Sequence, residues 1–292
     1  MREGIVIKAY GGFYYVKSGN EICKCVLRGR FRRQGQQVLV GDQVKFRFTE
    51  AKSGVIEEVL PRRNVLVRPL VANVEQAILV FAMRDPDPST FLLDRLLIQA
   101  RAAQVTPFIC FNKADLGGKE AAGLISVYRQ AGYPVLVTSA KDRTGLGGLR
   151  KILSAGVTVL AGPSGTGKSS LLNALEPGLS LKTREVSTRI RRGKHTTRHV
   201  ELLALTGGGL VVDTPGFSSL HLPLMERTEL AYFFPEFHEY IPECQFTGCL
   251  HYKEPGCAVK QAVADMKISP LRYENYLKFL NEVIEQEKRK YD

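Results

Sequence analysis

The sequence predicts a multi-domain α/β protein: an N-terminal β-barrel of the OB type, a central mostly parallel sheet with helices on both faces, and a C-terminal, mainly helical, zinc-binding module. Three observations predict it. Residues 1–68 hold short strand-like segments broken by Gly and Asn turns, with no helical period. From about residue 70 apolar strands alternate with helical stretches, the pattern of a parallel sheet covered on both faces. After Leu224 three cysteines and a histidine cluster ahead of one long amphipathic stretch. A chain of 292 residues is long enough for two or three domains, here taken as 1–68, 69–225 and 226–292.

In the first segment, strands are expected at Gly4 to Tyr10, Phe13 to Lys17, Glu21 to Leu27, Gln43 to Phe48 and Gly54 to Val59. Five short strands suit an OB barrel, and an SH3-like barrel would give a similar pattern. Cys23 and Cys25 share one strand face and are expected to be core residues, as is Cys110. In Val44-Lys45-Phe46-Arg47-Phe48 the aromatics fall on one face and the cations on the other, so the barrel is packed inside and basic outside.

The net charge of +12 points to a polyanionic partner. It is uneven: residues 1–68 carry fourteen basic against six acidic residues, Lys182 to Arg198 seven against Glu185 alone, and 226–292 nine against twelve. The longest apolar run, Ala77 to Met83, falls far short of the roughly 20 residues that cross a bilayer, and Met1-Arg2-Glu3-Gly4 lacks a signal peptide's apolar core. No membrane partner is expected, and the location is read as cytoplasmic.

In the middle segment Ala77 to Phe81 is a buried strand, and Ser89 or Thr90 can cap a helix whose stripe is Leu92, Leu93, Leu96, Leu97 and Ala100. Further strands are expected at 107–111, 134–138, 157–161 and 210–212, with a helix at 168–175. Four phrases fall where such strands end. Gly162-Pro163-Ser164-Gly165-Thr166-Gly167-Lys168-Ser169-Ser170 contains a complete G-x-x-x-x-G-K-S between a strand and a helix. Its glycines let backbone N–H groups face phosphates, Lys168 supplies a point charge, and Ser169 a hydroxyl for Mg²⁺. Asp213-Thr214-Pro215-Gly216 ends an apolar run; its carboxylate suits the Mg²⁺ side of the site, and Gly216 offers an N–H beside the terminal phosphate. Thr196 or Thr197, in the basic run, can reach the metal from the other side.

Asn112-Lys113-Ala114-Asp115 reads the base. Guanine presents two adjacent N–H donors that an ionised carboxylate accepts, Asn112 can hold the loop, and Lys113 can lie against the ring. Ser139-Ala140-Lys141 can offer backbone N–H groups to the guanine carbonyl. The four phrases together indicate GTP and GDP rather than adenine nucleotides. Their order is that of a circular permutation: the base phrases precede the phosphate loop, the reverse of ordinary small GTPases.

With these phrases in this order, the chain resembles, over essentially its whole length, the ribosome small-subunit-dependent GTPase A family, circularly permuted bacterial GTPases with an OB fold ahead and a zinc module behind. The resemblance implies a GTP hydrolase that binds the 30S subunit and 16S rRNA, is stimulated by that subunit, and acts late in its assembly. A monomer is expected, with no DNA partner. Gly193-Lys194-His195-Thr196-Thr197 resembles the family's Thr loop, with Lys194 where Arg is common and Arg198 where a third Thr often stands.

Beyond Asp213-Thr214-Pro215-Gly216 come Phe217, Ser218, Ser219 and Leu220, with none of the Gln that orients water in Ras-like enzymes. Slow intrinsic hydrolysis is therefore expected, with Lys168 stabilising the reacting phosphate and His195 or rRNA positioning the water. Cys244-x4-Cys249-x-His251-x5-Cys257 supplies three thiolates and an imidazole, enough for one closed tetrahedral Zn²⁺ site. The module looks too small for much core of its own, so chelation is expected to unfold 226–292 and spare nucleotide affinity. From a different class comes the alternative of a non-enzymatic rRNA-binding chaperone whose nucleotide site only switches conformation; absence of turnover with and without small subunits would favour it.

Overall fold

The structure is a computed structural model and describes residues 1–29, 37–50, 52–179, 200–213 and 222–291. Five strands close the N-terminal barrel: β1 (Arg2–Tyr10), β2 (Phe13–Ser18), β3 (Glu21–Leu27), β4 (Gln43–Glu50) and β5 (Ser53–Val59). They run in the order β1-β2-β3-β5-β4, with β3 and β5 parallel. That order and the closure settle the OB-type arrangement over the SH3-like one.

Alternation decides its inside. Val6, Val16, Cys23, Cys25, Val44, Phe46 and Ile56 are buried together. Burial pushes the Cys25 thiol up to about 12, so it is an inert apolar filler. The outward cations are partly self-neutralised: Lys45 pairs with Glu58 at 3.1 Å, and Arg28 and Arg47 both approach Glu57, at 2.6 and 3.7 Å. The barrel keeps its net positive excess, but these three cations are held against carboxylates on its outer face.

A hairpin of β6 (Val65–Val67) and β7 (Leu70–Ala72) leads into the central sheet. Its strands are β8 (Gln76–Ala82), β9 (Thr106–Asn112), β10 (Val135–Val137), β11 (Val157–Ala161), β12 (Leu202–Ala204) and β13 (Leu210–Val212). In the order β10-β9-β8-β11-β13-β12, every pairing is parallel except β12 with β13. The helices α1 (Thr90–Ala102), α2 (Lys119–Gln130), α3 (Leu146–Leu153) and α4 (Lys168–Leu175) supply the crossovers and the second β-to-helix layer. Ser89 caps α1 by accepting the N–H of Leu92 at 3.3 Å.

One helix departs from the amphipathic stripe expected of it. Every residue of α1 from Leu93 to Ala100 is buried, including Asp94, Arg95 and Gln99. The C-terminal module covers the face expected to meet solvent. That module holds α5 (Ala258–Ala264) and α6 (Pro270–Tyr291) after a run of short 3-10 turns. Its core of Leu222, Leu230, Phe234, Phe237, Tyr276, Phe279, Leu280 and Val283 includes Ile98 of α1. Contrary to the expectation of a module with little core, it packs this cluster largely from its own residues and adds Ile98 of α1, with Tyr276 and Phe279 supplying large buried rings.

Candidate active site and metal centre

The carboxyl ends of the parallel strands carry the predicted phrases to one edge, where ligands of open α/β sheets bind. After β11 the chain turns through three glycines at positive φ, Gly162 at 134°, Gly165 at 82° and Gly167 at 91°. Two of them are fixed by close approach. A Cβ on Gly162 would stand 2.1 Å from the carbonyl oxygen of Val80, and one on Gly167 2.4 Å from Nδ2 of Asn112. Lys168, Ser169 and Ser170 then form the first turn of α4. The Lys168 ammonium donates to the carbonyls of Gly162 and Pro163 at 2.8 and 2.6 Å, folded onto its own loop, and Thr166 Oγ1 donates to Pro163 at 3.0 Å. Ser164 lies at the top of this turn, between Pro163 and Gly165.

Asn112 joins the phosphate loop to the base loops. Its Nδ2 donates to the Thr166 carbonyl at 2.9 Å, while its Oδ1 accepts from Thr138 Oγ1 at 3.2 Å and from the Ala140 N–H at 3.3 Å. A side chain 1% exposed with all these groups engaged is a strut. Three loops separated by dozens of residues are held in one register by one amide. Asp115 is set beside it: Ser139 Oγ donates to Asp115 Oδ1 at 2.8 Å and accepts from the Asp142 N–H at 3.1 Å, and the Lys141 ammonium lies 3.9 Å from the second Asp115 oxygen.

Sequence reasoning missed the segment after β8. Lys113, itself at positive φ, donates to the Asp85 carbonyl, and Pro86 comes within 3.6 Å of where a Gly165 Cβ would stand. The signal was available: β8 is a central strand, so the residues after it must reach the same edge.

Asp213 follows β13, its N–H donating to the Glu201 carbonyl at 2.9 Å. Burial first, then the Glu201 carboxylate, raises its affinity for a proton, and Lys8 opposes them. His195, Thr196, Thr197 and Gly216, with the basic run from Lys182 to Arg198, lie outside the described residues.

The second site is compact. Sγ of Cys244, Cys249 and Cys257 and a ring nitrogen of His251 all lie within 4.8 Å of one another. Nδ1 of His251 is 3.6 Å from Cys244 Sγ and 3.4 Å from Cys257 Sγ, and these two sulfurs are 3.9 Å apart. A tetrahedron with Zn–S of about 2.3 Å and Zn–N of about 2.1 Å needs S···S near 3.8 Å and S···N near 3.6 Å. The donor set could therefore hold zinc. Backbone N–H groups of His251 and Lys260 donate to the sulfurs of Cys249 and Cys257, at 3.4 and 3.5 Å, and Tyr273 OH donates to the His251 carbonyl at 2.8 Å.

Comparison with known proteins decides the family. The model described as RsgA GTPase matches residues 59–223 and the RsgA N-terminal domain model matches 3–56. The chain belongs to the RsgA GTPase family. Small ribosomal subunit biogenesis GTPase RsgA of Moorella thermoacetica is 51% identical over 98% of this chain and 99% of its own. The protein of the same description from Geobacillus thermodenitrificans is 52% identical over 99% and 100%. Among solved structures, YjeQ from Thermotoga maritima is 39% identical with a TM-score of 0.86, covering 97% of this chain and 98% of that one. YloQ, described as a circularly permuted GTPase, is 43% identical with a TM-score of 0.84 over 98% and 96%. This RsgA family member is thus a GTP hydrolase of permuted order, as the sequence of its phrases indicated. Guanine nucleotide and Mg²⁺ follow from the family, and among the described residues no helix is long and apolar enough to cross a membrane.

Proposed function

We propose that this chain hydrolyses GTP to GDP and phosphate on the small ribosomal subunit late in that subunit's assembly, acting as a cytoplasmic monomer that contacts 16S rRNA and no DNA. The observation that carries the reading is the Asn112 strut, which ties the phosphate loop to both base loops across three strand ends. Such a register suits one ligand with a purine at one end and phosphates at the other. The full-length relatives described as small ribosomal subunit biogenesis GTPases supply the partner.

In this reading 1–68 is a nucleic-acid-binding barrel, 69–225 the permuted GTPase domain and 226–292 the zinc module. Asp115 accepts the two guanine N–H donors, Lys113 lies along the base, and Ser139, Ala140 and Lys141 line its carbonyl side. Backbone N–H groups of 162 and 164–170 face the phosphates, with Pro163 shaping the loop, and Lys168 leaves its loop carbonyls for the outer ones. Mg²⁺, when bound, would offset charge on the β- and γ-phosphates. Ser169 and Thr196 or Thr197 would hold it, with Asp213 behind and Gly216 beside the γ-phosphate. Cys244, Cys249, His251 and Cys257 would hold one structural Zn²⁺.

Burial pushes the Lys168 ammonium down to about 8. A lowered ammonium loses its proton as pH rises through that value, and a phosphate needs the charged form. Nucleotide affinity is expected to stay level up to about pH 8 and to fall above it by up to about tenfold per unit. Titrating a fluorescent GTP analogue across that range checks it; a level profile to about pH 9 contradicts it.

With no Gln after Gly216, turnover of the free protein is expected to be slow and to rise when 30S subunits are added. Phosphate release with and without purified subunits tests the reading, and silence in both conditions would favour the non-enzymatic switch. His195→Ala is expected to abolish most of the stimulated rate; normal stimulation in that variant assigns the water to rRNA instead.

A further inference from the structure

The edge strand β12 is met by the barrel. Lys8 of β1 makes an isolated antiparallel bridge with Glu201, and its ammonium pairs with the Glu201 carboxylate at 2.8 Å. The neighbouring Ile7 is buried in the same apolar cluster as Leu202, with Ile5, Ala9 and Tyr15 packed against that cluster, so the barrel is seated there by shape as well as charge. Glu201 in turn accepts the N–H of Asp213 on its carbonyl at 2.9 Å. Two charges from different modules therefore meet beside Asp213, and they act on it in opposite directions: Glu201 adds negative potential and Lys8 removes it.

We propose that Lys8 completes the nucleotide site from the barrel: by neutralising Glu201 it keeps a second unpaired carboxylate away from Asp213 and so favours the nucleotide that carries a γ-phosphate over the diphosphate. This rests on the placement of the γ-phosphate near Asp213 given above. Lys8 is a positioning residue that acts through Glu201. The sign follows from the charge difference between the two nucleotides, each carrying Mg²⁺. Without Lys8 the locale gains one net negative charge, and GTP, which carries one more negative charge than GDP, is repelled more. At roughly 10 Å and an effective dielectric constant of about 20 to 40, a unit charge is worth a several-fold change in affinity. Salt weakens such an effect over a Debye length of about 10 Å at 0.1 M, so it is read at low ionic strength.

The test is the ratio of affinities for a non-hydrolysable GTP analogue and for GDP, measured with Mg²⁺ on the full chain. Lys8→Met is expected to lower the ratio by about three- to tenfold, and Lys8→Arg to keep it. Adding Glu201→Gln to Lys8→Met restores the local charge and is expected to restore the ratio. That readout separates charge from seating, because a barrel that had merely come loose would not be recovered by a second substitution. A wild-type ratio in Lys8→Met, or a double variant as impaired as the single one, overturns the inference. Asp213→Asn tests the underlying placement separately. It is expected to abolish the extra affinity that Mg²⁺ confers on the triphosphate; if that gain persists, the placement is wrong, whereas its loss beside an unmoved ratio in Lys8→Met overturns the Lys8 inference alone.

Discussion

Asp115→Asn is expected to weaken binding of GTP and GDP by at least about a hundredfold and to create affinity for xanthosine nucleotides. An ionised Asp115 accepts two N–H donors from guanine, and hydrogen bonds to a charged group are worth about 1.5–3 kcal/mol each. An Asn amide keeps one acceptor and turns the other group into a donor, which opposes the guanine amino group and suits the carbonyl that xanthine carries instead. The substitution is isosteric, and Ser139 Oγ, 2.8 Å from Asp115 Oδ1, can bond either side chain. The loop should therefore survive the change. Competition binding with guanosine and xanthosine diphosphates measures it. Loss of guanosine affinity with no gain for xanthosine would mean a loop collapse, and unchanged guanosine affinity would remove Asp115 from the base site.

Arg272→Met is expected to cost about 3–5 kcal/mol and to lower the melting temperature by on the order of 10 °C. Arg272 is 1% exposed; it bonds Asp94 of α1 and, at 2.7 and 3.1 Å, Glu236. Its guanidinium lies over the rings of Phe234, Tyr128 and Tyr133, at 4.7, 5.4 and 5.4 Å. Burial drives Asp94 toward its protonated form, and Arg272, Asn275 and Tyr128 are what oppose it. Removing the cation leaves two buried carboxylates, Asp94 and Glu236, without their shared partner, and Asp94→Asn neutralises the more deeply buried of the two. Arg272→Met with Asp94→Asn should melt above Arg272→Met alone. A double variant that melts lower would show that the ring cage, and not the charge pair, holds the module. Metal chelation acts on the same joint. It should unfold the C-terminal module and destabilise α1, which shares its core, while the loops at 112–115, 139–141 and 162–169, hung from β9, β10 and β11, keep their nucleotide.

The two variants separate what the sequence makes legible from what it hides. Asp115 was legible because its chemistry travels in a contiguous phrase after a strand, and the phosphate loop, the Ser139 loop and the metal ligands were legible for the same reason. The five barrel strands were found within a residue or two because alternation and turn residues act locally. The buried polar residues of α1 were hidden. Asp94 and Arg272 are 178 positions apart, and within either helix alone the charge looks like one meant for water. The pairing of Lys8 with Glu201, 193 positions apart, is of the same kind. The excess charge of the barrel was legible as a count, but which cations Glu57 and Glu58 hold depends on which strands lie side by side.

Cosedimentation with purified ribosomal subunits tests the central claim most directly. With a non-hydrolysable GTP analogue the chain should pellet with 30S subunits and not with 50S subunits. It should be largely released when GDP replaces the analogue, and the binding should weaken as salt rises, since phosphate contacts carry much of it. Equal binding to both subunits, or binding to 30S subunits that ignores the nucleotide, would contradict the account.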